Sequence, residues 1–331
     1  MTEPRPPDRR ARDALVLLIA LSAAVAVVSS VGVALGFRTL AASTRAVVGA
    51  VECCGTVFSS CLVSWSLLRA ALPWLAATLL LWGWLRAASG LARNIVLHRR
   101  FVVGLGSVPV PIVDLRARGI EGLAVPPAAV RLIEREGVSC AFTAGFVVPR
   151  IYVTTGLFAR LTPGELDAVL AHEVHHLARR DPLRTLVVLF LEDLLFFVPI
   201  GGWLKRAFLE AREEAADRCV AAAREGAGLD LAEALRRLAL EKVGSWSIHP
   251  LAAGAVRTGD LVRRIRVLLD PDSVPPIRPG WRHWSVTLVL LGVVLSSLYL
   301  PVIWNGMPET FDGCGPEHCA KRGCGHSAGL R

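Results

Sequence analysis

The chain has no basic run interleaved with aromatic side chains, no zinc-finger spacing of cysteines and no RNA-binding signature, so its net charge of +9 does not read as a nucleic-acid surface. Charge as a whole is sparse. Charged residues make up 20% of the 331 positions against 53% hydrophobic, and the mean hydropathy of +0.50 is too high for an ordinary soluble enzyme. The arginines flank apolar runs, so they carry information about membrane topology, and membrane lipid is the expected partner in place of nucleic acid.

The run from Ala14 to Phe37 is uncharged and long enough to cross a hydrocarbon core of about 30 Å, which takes roughly 20 helical residues. It is longer than the secretory core of about 7 to 15 residues, so an uncleaved anchor is expected. Arg5, Arg9, Arg10 and Arg12 place the N-terminus in the cytoplasm by the positive-inside rule. A second span is expected from about Cys61 to Leu85, with Arg86, Arg93, Arg99 and Arg100 returning the chain inward, and a third from Ser285 to Ile303 between Trp281, Trp284 and Trp304. The organisation read from these runs is 1–90 for a tail and two spans, 91–275 for a domain facing the cytoplasm, 276–304 for a last span and 305–331 for a cysteine-rich outer tail.

Inside the middle region, His172-Glu173-Val174-His175-His176 has the His-Glu-x-x-His spacing of a zinc hydrolase. Residues four apart share a helical face, so His172 and His176 can reach one ion, while Glu173 stands one step round the helix, free to act as general base. His175 falls on another face. Thr162-Pro163-Gly164-Glu165 supplies an N-cap, a proline for the first helical position and a capping-box glutamate, and Leu166, Val169, Leu170 and Leu177 give the apolar stripe of a real helix. Arg179-Arg180-Asp181-Pro182 ends it.

A catalytic zinc, one per chain, needs a third protein ligand and one open position. The dense acidic stretch from Glu210 to Asp217 is the candidate source. Glu213 and Asp217 share a face, so one can bind metal while the other takes the free N–H of a ligating histidine, and Glu210 is the rival ligand. Leu186 to Leu204 lies between the two metal segments and is apolar except for Glu192-Asp193. If it crossed a bilayer alone, His172 and Glu213 would lie on opposite sides, so 186–204 is expected to be a buried or re-entrant hairpin.

The segments Pro149 to Leu157 and Leu161 to Glu173, with Arg179-Arg180-Asp181-Pro182-Leu183, resemble the membrane-embedded gluzincin metallopeptidases. These comprise the β-lactam-sensing signal-transducer peptidases, the HtpX-like quality-control proteases and the CAAX prenyl endopeptidases; the Arg179 to Leu183 run is most similar to the first. The resemblance covers roughly residues 90 to 270. It implies an α-helical multi-pass membrane protein with an α+β zincin-like catalytic domain that hydrolyses peptide bonds in a protein or peptide substrate. It also implies that the third ligand, the first residue of Glu-x-x-x-Asp, is Glu213 and that the orienting aspartate is Asp217. His249, in a His-Pro pair followed by Arg263-Arg264-Ile265, would help stabilise the tetrahedral intermediate. A strand such as Arg150 to Thr155 would lie at a sheet edge and align the substrate backbone.

Other β-branched runs, Val102-Val103 with Val108 to Val113 and Val138 to Phe142, argue for a small sheet, and Asp230 to Val243 reads as a helix. The regulatory alternative is a sensor whose peptidase acts on a repressor or on itself. With fewer than thirty residues after Ile303 and no Ser-x-x-Lys acyl-accepting motif, direct β-lactam acylation is not supported. Of the eight cysteines, Cys53, Cys54, Cys61, Cys314, Cys319 and Cys324 are expected outside, where disulfides form, and Cys140 and Cys219 inside.

Overall fold

The computed structural model describes residues 6–109, 129–240, 258–270 and 280–305, with the side chains of 28–29, 32–33, 35–74, 76–77, 240, 258–260, 294–295 and 297–305 outside that description. In chain order the elements are helix α1 (Pro7–Gly104), strands β1 (Val108–Pro109), β2 (Val130–Ile133), β3 (Ala141–Ala144) and β4 (Arg150–Thr154), and helices α2 (Thr155–Arg160), α3 (Pro163–Ala178), α4 (Asp181–Leu194), α5 (Pro199–Ala223), α6 (Ala227–Leu240), α7 (Thr258–Leu269) and α8 (Trp281–Asn305). The protein is mostly helical with one small mixed sheet. Two compact units divide it, Met1–Ile19 with Arg86–Gly280, and Ala20–Leu85 with Trp281–Arg331. Among the described residues no helix is long and apolar enough to cross a membrane. Part of each expected span, 14–37, 61–85 and 285–303, lies outside the described side chains.

The unit holding 86–280 is built round the sheet, whose order is β1-β2-β4-β3. Strand β4 runs parallel to β2 and antiparallel to β3, with Val153 opposite Leu132 on one side and Ala141 on the other. Side chains alternate across a strand, so β4 sends Ile151 and Val153 to one face and Tyr152 to the other. The first face packs with Leu157, Leu166, Val169 and Leu170 in the larger core, and the second with Phe142, Ile133 and Leu105 at the end of α1. Each fully buried aliphatic side chain in these layers contributes about 1.5–3 kcal/mol relative to exposure.

Two expectations change here. The strand Arg150 to Thr155 is central rather than at an edge; the outer strand beside it is β3. Val102-Val103 continue α1, because Val102 packs on the sheet from the helix side. Strand β2 had no strong alternation to announce it, since its pattern of burial follows from β4 and β1 on either side.

Helix α3 begins as its sequence requires. Glu165 N–H donates to Thr162 Oγ1 at 3.3 Å and Thr162 N–H donates to the Glu165 carboxylate at 2.8 Å, closing the capping box with Pro163 just inside. It stops at Ala178. Arg180 then takes a left-handed conformation, φ 54°, the only non-glycine residue with positive φ among those described. That reversal starts α4 at Asp181 with Pro182 in its first turn.

Helices α4 and α5 form a hairpin closed by Leu195 to Val198, where Val198 N–H donates to the Leu195 carbonyl at 2.7 Å. Lys205 bonds Glu192 across it at 2.5 Å, and Arg86 bonds Asp193 at 3.0 Å. The turn brings α5 back alongside α3. Arg10 bonds Glu214 on α5, so both described ends of α1 meet this unit.

Candidate metal centre

His172 and His176, one turn apart on α3, point their Nε2 atoms at a common position, 3.1 Å from each other. Glu213 on α5 closes the group, with carboxylate oxygens 3.5 Å from His172 Nε2 and 3.7 Å from His176 Nε2. One ligand atom from each residue lies within 4.8 Å of the others, a set that could hold a metal ion. Two atoms bound tetrahedrally at 2.0–2.1 Å lie about 3.3 Å apart, so the observed spacings suit one zinc.

The far side of each imidazole supports the same reading. His172 Nδ1 lies 3.0 Å from Asp217 and His176 Nδ1 lies 2.6 Å from Asp181, and both carboxylates are buried. A carboxylate on Nδ1 fixes the tautomer that leaves the Nε2 lone pair for a metal. Arg264 on α7 holds Asp217 with two bonds, 2.9 Å from Nε and 2.6 Å from Nη2, and lies 3.3 Å from Glu213. Arg212 donates to Glu213 at 2.6 Å and to Thr185 at 2.7 Å, tying the third candidate ligand to α4.

Electrostatics favour a cation here. Burial is the largest influence on His172 and, with Arg264, lowers its pKa, yet hydrogen bonds to Asp217 and Glu213 outweigh both and raise it to about 9. Burial opposes the charge on Glu213, but Arg212, His176 and Arg264 hold its carboxyl well below the usual range; Arg264 does the same for Asp217. Glu173, Asp181, Glu213 and Asp217 gather buried or half-buried acidic groups round the two imidazoles, with Arg212 and Arg264 paired to the last two.

Glu173 is buried beside this group, and its carboxylate accepts from Thr143 Oγ1 of β3 at 2.8 Å. The other acidic residues of α5 turn elsewhere. Glu214 pairs with Arg10, Arg218 and Arg263, while Glu210 faces Arg263 at 3.5 Å. His175 stands away from the group, and burial lowers its pKa. His249 lies outside the described residues, as do Cys314, Cys319 and Cys324.

Residues 74–268 match the BlaR1 peptidase M56 family, a match over more than half of the chain. The chain belongs to the M56 peptidase family. Shorter stretches are similar to curated HtpX proteases. Over 48 residues the chain is 44% identical to Protease HtpX homolog 2 of Methanosarcina mazei, covering 14% of this chain and 16% of that protein. Over 58 residues it is 43% identical to the Protease HtpX homolog of Moorella thermoacetica, covering 18% and 17%. The chain thus spans about one sixth of the length of these curated relatives. The M56 match takes in β1 to α7, which includes each element that contributes to the metal group.

Three contributors to this M56 site carry no local signal of their role. Asp181 reads in sequence as a helix-end acid; it reaches His176 only because Arg180 reverses the backbone. Thr143 and Arg264 meet the site from 30 and 47 positions away along the chain. For Arg264 a clue existed, the Arg-Ile pair noted in the resemblance, but it did not say which carboxylate the guanidinium holds.

Proposed function

We propose that this M56 chain is a membrane zinc metalloendopeptidase in which His172, His176 and Glu213 hold the metal and Glu173 is the general base. The observation that carries it is the convergence of two Nε2 atoms and one carboxylate, with each Nδ1 seated on a buried carboxylate. Zinc at this group would supply Lewis-acid polarisation of a water and of the scissile carbonyl. Glu173 accepts the proton of the attacking water and donates it to the departing amine as the C–N bond breaks. Asp217 and Asp181 keep the imidazoles in one tautomer and orientation; Arg264 keeps Asp217 ionised. The peptide would lie along the side of β3 that has no neighbouring strand among the described residues, paired to its backbone as an added strand.

The long apolar runs and their flanking arginines support a multi-pass cell-membrane location with the metal group facing the cytoplasm and the cysteine tail outside. The test is Glu173→Gln in the full chain. Purified in detergent and offered a defined library of short peptides, it should retain zinc by mass spectrometry and lose the cleavages made by the wild-type protein. Cleavage at the wild-type rate with zinc bound would sink the mechanism. Comparing new N-termini in membranes that carry either protein separates general proteolysis from the regulatory alternative, in which this chain or one small repressor would be the cleaved species.

A further inference from the structure

Thr143 holds a position that neither the metal nor the peptide alone accounts for. Its side chain is fully buried, and its single hydroxyl lies 2.8 Å from the Glu173 carboxylate and 3.0 Å from the Glu173 backbone carbonyl. One hydroxyl proton serves one acceptor at a time, so Oγ1 donates to either the carboxylate or the carbonyl of Glu173, and each bond holds that residue to β3. A glutamate otherwise has three side-chain torsions to choose among.

The backbone of the same residue faces the other way. Thr154 N–H donates to the Cys140 carbonyl at 3.1 Å while Cys140 N–H donates to Thr154 Oγ1 at 3.0 Å, so residues 140 and 154 turn their backbone groups toward each other, as do Phe142 and Tyr152 two positions on. The intervening pairs, Ala141 with Val153 and Thr143 with Ile151, turn their backbone groups away from each other. Ile151 N–H accordingly donates across to Ala129 at 2.8 Å. The N–H and C=O of Ala141 and Thr143 therefore face the side of β3 that has no neighbouring strand among the described residues.

We propose that Thr143 is a positioning residue that sets the Glu173 carboxylate from the same strand that receives the substrate backbone, so that engaging the peptide and aiming the base share one rigid link. This rests on the reading of Glu173 as the base. A peptide pairing with Thr143 N–H and C=O would hold that residue's backbone in the plane of the sheet while Oγ1 reaches Glu173 from the sheet face, and displacement of a catalytic group by about 1 Å costs on the order of 100-fold in rate.

The experiment compares Thr143→Val, which keeps the β-branched shape and the backbone, with Thr143→Ser, which keeps the hydroxyl. Both are assayed as full-length protein in detergent on the library peptide that wild type cleaves fastest. Thr143→Val should lose roughly 10- to 100-fold in kcat with KM within about twofold and zinc content unchanged, and Thr143→Ser should recover most of the rate. Equal kcat in Thr143→Val and wild type overturns the proposal, as does a Thr143→Ser variant no better than Thr143→Val. Should Thr143→Val and Thr143→Ala both lose zinc or fold while Thr143→Ser does not, the hydroxyl is structural and the proposal also fails. Activity in Glu173→Gln would instead overturn the base assignment, which the same assay reads independently.

Discussion

Removing the Asp181 carboxylate should weaken zinc binding without touching any of the three proposed ligands. Asp181 Oδ2 lies 2.6 Å from His176 Nδ1, and both side chains are at or below 1% exposure. A hydrogen bond to a charged partner contributes about 1.5–3 kcal/mol, and loss of a carboxylate behind a metal-bound histidine typically costs 10- to 100-fold in affinity, about 1.4–2.8 kcal/mol. The two estimates coincide, so Asp181→Ala should raise the zinc dissociation constant roughly 10- to 100-fold, and Asp181→Asn, which keeps an acceptor oxygen but no charge, by about tenfold. Competition against a chromogenic chelator in detergent reads this directly. Asp230→Ala, on an exposed carboxylate paired with Arg224, should bind zinc as wild type does. Affinity within threefold of wild type in Asp181→Ala would refute the claim that the buried carboxylate tunes His176.

Two further predictions concern neighbouring residues. Glu213→Ala should strip zinc, whereas Glu210→Ala and Glu214→Ala should retain it, because those carboxylates face Arg263 and Arg10; metal analysis showing that Glu210→Ala loses the ion would displace Glu213 as third ligand. Burial pushes the Cys140 thiol up to about 12, so it stays protonated at pH 8, while Cys219 is exposed. In opened membranes at pH 8 an impermeant maleimide should therefore modify Cys219 and spare Cys140 until denaturation, and in intact cells it should modify neither; labelling of Cys219 from outside would contradict a cytoplasmic metal group.

What the sequence made legible was local. The capping box at Thr162 and Glu165, the four-residue spacing of His172 and His176, and that of Glu213 and Asp217 follow from helical geometry, and the structure puts these pairs on shared faces. What it concealed depends on where the backbone turns. Nothing about Asp181 distinguishes a helix-starting acid from a partner of His176 without the left-handed Arg180. The β-branched run at Arg150 to Thr154 announces a strand but not its neighbours, and its central place follows from the parallel pairing with β2 across a long connection. Arg264 shows the same limit at greater distance, since a buried guanidinium between Asp217 and Glu213 is a tertiary event.

The α4–α5 hairpin and the late arrival of α7 also set an order in time. Arg264, which neutralises Asp217 and flanks His172, is made 92 residues after that histidine. At about 5–20 residues per second, a ribosome delivers the histidine pair roughly 5 to 18 s before the arginine that completes the charge balance. During that interval the nascent chain carries the His-Glu-x-x-His helix without the full set of side chains that holds it, so the candidate metal group is complete only once α7 has been made.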